Sequence, residues 1–286
     1  MGDVLRAEIY KVVHRRMTYI LLLVATGLVA IFYIALWLGI RQGPGDTRED
    51  VFRWLSLRQG MSFRNVVPAA FSLERFFVTL VSVIFAGTMM GNEYDWRTIG
   101  VVMSRGVRRS HFFVAKLISG AAFSFVTVVL CFLTAAALSA WFSHLYGLDF
   151  GGRGTHRLVT AGYSAVRTWF VILPFVTMAI FFAIQLRSAA QAVGAALGFY
   201  FIEGIFTALL QNSKGLLSHI PDFLFNVNGD AIIRANGFFP RDNGAGPFGV
   251  PEGGDSIPWA VLVLSSWIVF FVGVGFYLFS RRDIQE

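Results

Sequence analysis

Six apolar runs, set apart by polar and glycine-rich stretches, dominate the pattern along the chain. They fall at 19–40, 71–90, 117–142, 166–186, 189–210 and 258–279, and each is 20 to 26 residues long. A helix needs about 20 residues to cross a bilayer, so each run predicts a membrane-spanning helix. The second run is the most broken: Glu74 and Arg75 fall within it, leaving only Phe76–Met90 uninterrupted. That places the charged pair near one membrane face. The first run is too long for a signal peptide and lacks a small-residue cleavage site. Ahead of it, Leu5, Ile9, Val12, Val13 and Met17 recur at helical spacing, with Glu8, Lys11 and Arg15 on the opposite side. Residues 3–17 therefore predict an elbow helix lying in the headgroup layer, its apolar side toward lipid. The fold expected is an all-α polytopic membrane protein, a single transmembrane domain over 1–286. Its longer connections, 41–70 and 211–257, lie on the outer side, the latter with short helices within Gly215–Ile233 and an irregular tail over Asn236–Gly254.

Composition agrees with burial in lipid. Hydrophobic residues make up 56 % of the 286 and charged residues 14 %, against about 25 % charged in a soluble domain. The net charge of +7 would point to nucleic acid in a soluble protein, but in a membrane protein it is first a topology signal. The segments 1–18, 91–116, 187–188 and 280–286 carry 12 Lys and Arg in 53 residues, whereas the remaining connections spread 12 over 107. Short, dense basic segments mark the cytoplasmic side, so both termini are expected there, with the chain in the cell membrane. The single cysteine, Cys131, excludes a disulfide framework and a Cys-based zinc cluster. The five His are scattered and form no metal or catalytic motif. Gly147–Thr155 resembles a phosphate loop only superficially, because it lacks the lysine that such a loop requires. Neither an enzyme nor a directly bound cofactor or metal is expected.

The most informative connection is 91–116, GNEYDWRTIGVVMSRGVRRSHFFVAK. An acidic and aromatic cluster (Glu93, Tyr94, Asp95, Trp96) is followed by a short apolar piece and then by Arg105, Arg108 and Arg109. That order predicts a short helix along the membrane face with its polar edge turned to a cytoplasmic partner. The bland alternative is a basic loop that only retains positive charge inside. GNEYDWRTI followed by SRGVRRSHFFVAK resembles the segment after the second span of ABC-2 type export permeases, as in type V exporters. The terminal FYLFSRRDIQE and the N-terminal EIYKVVHRRMTYIL are similar to that family's C-terminus and elbow helix. Arg97-Thr98 stands where the family has Gly-Thr. The resemblance implies a permease subunit that pairs with a second permease subunit, identical or related. It also implies two copies of a separate cytosolic ATPase, which would hold ATP and magnesium. Glu93, Tyr94, Asp95, Trp96, Arg97, Thr98, Arg105 and Arg108 would then form the ATPase-coupling segment.

Two features inside the membrane complete the picture. Gly194 and Gly198 continue a stripe of small residues from Ala190, and Gly87 and Gly91 form a similar pair. Such stripes let helices approach closely, within one subunit or across a dimer seam. Glu203 lies about 10 Å below the outer surface, where a carboxylate must be neutral, paired or wet. It is either a structural partner of Arg75 or Arg167 or part of a translocation path. The function expected is ATP-driven export of an unidentified substrate. The alternative is an ion-coupled secondary transporter or channel that uses Glu203 without an ATPase, and a membrane-embedded scaffold is a third reading.

Overall fold

The computed structural model describes residues 1–44, 47–147, 155–210, 220–234, 236 and 257–281. Among these the chain forms helices α1 (Gly2–His14), α2 (Arg16–Arg41), α3 (Arg48–Met61), α4 (Val66–Asp95) and α5 (Thr98–Ser104). Then come α6 (Arg109–Tyr146), α7 (Thr155–Leu186), α8 (Ala189–Leu210), α9 (Phe225–Arg234) and α10 (Ile257–Arg281). No strand occurs among the described residues. Six helices, α2, α4, α6, α7, α8 and α10, are long and apolar enough to cross a membrane. The protein is an all-α polytopic membrane protein.

Hydropathy locates these helices but does not end them. Only α8 keeps the bounds of its apolar run. α4 begins at Val66 and runs to Asp95, and α6 begins at Arg109. The expected connection 91–116 thereby shrinks to a turn, the seven-residue α5 and a second turn. Polar residues such as Asn92 and Glu93 continue the backbone ladder as well as apolar ones do, so a helix stops at its cap rather than at its last apolar residue. The connection 41–70 is likewise not a loop, because it holds α3. Thr47 caps that helix, accepting from the Asp50 N–H at 3.1 Å while its hydroxyl donates to Asp50 Oδ2 at 2.6 Å. The elbow also differs from expectation: the helix breaks at the extended Arg15 (φ −78°, ψ 125°), and the Thr18 hydroxyl donates to the Val12 carbonyl at 2.6 Å across the joint.

α4 and α7 form the centre, with 67 % and 61 % of their most apolar stretches buried, against 22 % for α2 and α10. α6 packs along α4, where Phe85 and Phe123 stack at 3.7 Å. α8 crosses α4 at the glycine pair. A Cβ on Gly91 would lie 2.3 Å from Ala189 Cα, and one on Gly87 2.8 Å from Val193 Cγ2. These glycines are required by the crossing itself. One end of the bundle gathers α1, α5, the C-termini of α4 and α10, and the N-termini of α6 and α8. There Arg109 donates to the Phe279 and Ser280 carbonyls at 3.2 and 2.7 Å. The opposite end carries α3 and α9. The glycine-rich segment 147–155 and the tail 236–254 lie, apart from their edge residues, outside the described residues.

Candidate functional site

At the α5 end, four charged side chains from three helices meet. Lys116 of α6 is 1 % exposed and donates to Glu93 Oε1 of α4 at 2.7 Å and pairs with Glu8 Oε2 of α1 at 2.8 Å. Lys11 of α1 reaches Glu8 Oε1 at 2.9 Å and Glu93 Oε1 at 3.4 Å. Half-burial lowers the Lys11 pKa, and Glu8 and Glu93 outweigh it, so the ammonium stays above its ordinary value. Two acids and two lysines cancel, which lets the cluster sit inside the protein. Glu8 and Lys11 of α1 are thus turned inward rather than to water, while Ile9 and Val13 are exposed and Val12 and Met17 pack against the core. The sequence spacing placed Glu8 and Lys11 on one side of α1 but did not show Lys116 and Glu93, which cover that side.

The knot also holds the turn into α5. Thr98 donates to the Glu93 carboxylate through a short hydrogen bond and to the Glu93 carbonyl at 3.3 Å. Arg97, where the resembling permeases have glycine, adopts a left-handed conformation at φ 53°. The turn that glycine makes freely is kept here by a strained arginine. Asp95 reaches across to α8 and accepts from the Ala189 N–H at 3.0 Å, satisfying the first turn of that helix. Arg15 lies over the Trp96 ring at 5.2 Å, tying the α1–α2 joint to the same turn. Of the residues expected in the coupling segment, Glu93 is buried, and Asp95 is exposed while it bonds α8. Tyr94 and Thr98 are half-buried, whereas Trp96, Arg97, Arg105 and Arg108 are exposed. In α5, Ile99 points inward and Val101 is 55 % exposed.

At the opposite end, Glu203 is buried but pairs directly with neither Arg75 nor Arg167 in the bonds observed. Its Oε1 accepts from the Asn226 backbone N–H at 2.8 Å and its Oε2 from Asn226 Nδ2 at 3.0 Å. Arg75 donates to Asn226 Oδ1 at 2.7 Å and forms a close ion pair with Asp230. Arg167 donates to Asn236 Oδ1 at 3.2 Å. Glu203 and Arg75 therefore clasp α9 from α8 and α4, with Asn226 between them. Phe225 completes the anchor, its ring 5.0 Å from Phe175 and 5.3 Å from Trp267. A Cβ on Gly194 or Gly198 would meet nothing within 4 Å, so that stripe packs on no described residue of the same chain.

The profile of a family described as a protein of unknown function, DUF2705, matches residues 46–285. The chain belongs to the DUF2705 family. No curated protein matches it. The DUF2705 match takes in Glu93, Thr98, Lys116, Arg75, Glu203 and α9, and leaves out α1 with its Glu8 and Lys11. In this DUF2705 member, Lys116 and Glu8 are the functional candidates that the sequence did not single out as a pair. Their 108-residue separation hides a contact that only the packing of α1 on α6 creates.

Proposed function

We propose that the protein is the transmembrane subunit of an ATP-driven exporter, with α5 as the element that meets a cytosolic ATPase. The observation that carries this reading is the division of labour at the α5 end. Glu8 and Glu93 are taken up in the buried knot and Asp95, though exposed, caps α8, while Trp96, Arg97, Val101, Arg105 and Arg108 are left outward. An aromatic anchor with flanking arginines is the chemistry of a protein-binding hot spot. The resemblance of 91–116 to the coupling segment of ABC-2 permeases supports the same assignment. In this reading both termini and α5 are cytoplasmic, the membrane is the cell membrane, and a second permease subunit completes the path. ATP and magnesium belong to two copies of the partner ATPase, and the reaction is not catalysed on this chain.

The test is affinity purification of the full chain from its native membrane, followed by identification of the co-purifying ATPase. Trp96→Ala and Arg105→Ala are expected to lower ATPase association and coupled transport at least tenfold while the permease stays folded. Unchanged association in both variants overturns the reading. Glu93→Ala is the wrong probe, because it opens the buried knot and confounds docking with stability.

A further inference from the structure

The residue beside Arg75 has no such partners. Glu74 is completely buried, and neither carboxyl oxygen has a hydrogen-bond partner. One step along α4 rotates a side chain by about 100°, so Arg75 faces Asn226 and Asp230 of α9 while Glu74 faces α2 and α6. Tyr33 of α2 and Cys131 of α6, both buried, lie within electrostatic reach of it. From α8, Glu203 is taken up by Asn226, from α9 Asp230 by Arg75, and from α7 Arg167 reaches Asn236. One turn before Glu74, Phe71 stacks on Phe132 of α6 with centroids 4.8 Å apart and rings 4° from parallel. The surroundings of the carboxyl are therefore apolar and aromatic, and among the described residues no cation bonds to it.

An ionised carboxylate without a partner is strongly unfavourable in such surroundings, and the neutral acid is the cheaper form. Even then both its donor and its acceptor go unused, which a native core seldom tolerates without a reason. A ligand that repays the cost of ionisation must bring one positive charge and an apolar body. Aromatic walls suit it through cation–π contact. A divalent metal needs several oxygen ligands, and no group of three or more candidate ligands occurs among the described residues.

We infer that Glu74, with Tyr33, Phe71 and Phe132 around it, is the recognition carboxyl for a lipophilic organic cation. As the carried substrate, that cation gives the exporter reading its cargo class, and to that extent the inference rests on it. Binding ionises Glu74: the carboxyl O–H bond breaks, the proton leaves to water, and the carboxylate pairs with the incoming cation. One positive charge enters and one departs.

The probe is tetraphenylphosphonium, added to the full chain in nanodiscs without any ATPase. Saturable binding is expected, with about one proton released per cation in weakly buffered solution. Glu74→Gln is expected to weaken binding at least tenfold and abolish proton release, whereas Glu49→Gln, on the exposed surface of α3, leaves both unchanged. Dicyclohexylcarbodiimide is expected to label Glu74, with the cation protecting it. Absent binding, or binding and proton release indifferent to Glu74→Gln, overturns the inference. Where Glu74→Gln does not fold, Glu74→Asp keeps the acid on a shorter stem. It should retain proton release at reduced affinity, and unaltered affinity would count against the site. Cation binding needs no ATPase, so its failure leaves the exporter reading standing. Failure of ATPase association alone leaves the cation site standing.

Discussion

Replacing Lys116 by methionine isolates what the charge knot contributes. The side chain keeps its length and loses its charge, and with it the bond to the Met89 carbonyl at 3.4 Å and the cation–π contact with Phe112 at 5.2 Å. Glu8 and Glu93 are then left 3–4 % exposed at their side chains with Lys11, itself 41 % exposed, as their remaining cation. The knot passes from neutral to one net negative charge. Removing one partner of a buried ion pair typically costs about 3–5 kcal/mol, or roughly a hundred- to four-thousandfold in the folding equilibrium. The upper part of that range applies if Lys11 cannot move inward, the lower part if it takes over the vacated carboxylates. Unfolding in SDS, followed by loss of helicity, measures the change. The companion variant Glu93→Gln removes the acid, and the double variant removes both. If the contact at 2.7 Å carries the energy, the double variant loses less than the sum of the singles by about 1–3 kcal/mol. A Lys116→Met cost below about 1 kcal/mol, or strictly additive losses, would refute the claim that this pair fastens α4 to α6.

The other expectations are narrower. Arg97→Gly removes the left-handed strain at φ 53° and should stabilise the isolated subunit by about 0.5–1 kcal/mol; destabilisation would mean that the arginine side chain compensates for its backbone. Gly91→Ala places a methyl against the Ala189 backbone and should cost about 1–3 kcal/mol in the same assay. Gly198→Ala should stay within about 0.5 kcal/mol, and any effect on cross-linked dimer yield would identify the stripe as a seam between subunits. Glu203→Ala frees the Asn226 N–H and should raise hydrogen exchange across 225–234, with α3 unaffected; unchanged protection there would show that Arg75 and Phe225 hold α9 alone.

Much of the architecture was legible because lipid imposes a single strong pattern. The six spans follow from run length, and α8 ends where its apolar run ends. Helix extensions were not legible in the same way, since Glu93 and Asp95 look like loop residues until Lys116 and Ala189 satisfy them. α3 did leave a local signal, Thr47 followed three residues later by Asp50, a capping pattern that the search for apolar runs passes over. The clasp on α9 left none. Glu203 and Asn226 are 23 residues apart, with Arg75 151 residues from Asn226, and no spacing rule joins them. Glu74 and Arg75 show the limit most directly. A hydropathy window treats them as one polar blemish near a membrane face, whereas the helix sends them to different parts of the interior, one paired and one not.

The same geometry bears on how a push at α5 would spread. α5 is joined to α4 by the Thr98–Glu93 bond, and Glu93 is shared with Lys116 and Lys11. α4 is joined in turn to the start of α8 by the Asp95–Ala189 cap and by the Gly91 crossing, which leaves no slack between the two backbones. Ion pairs tolerate small rotations, but backbones in contact at a glycine do not slide without separating. A load on α5 is therefore shared softly with α1 and α6 through the knot and stiffly with α8 through the crossing. In an exporter driven from α5, α8 would be the helix that moves with α4 as a unit, and Glu203 near its far end would carry that motion to α9. Breaking the Asp95 cap with Asp95→Ala should then loosen the response of α9 to ATPase binding, read as hydrogen exchange at 225–234, while leaving the Lys116 knot and ATPase association in place. Unaltered coupling to α9 in that variant would move the stiff path elsewhere.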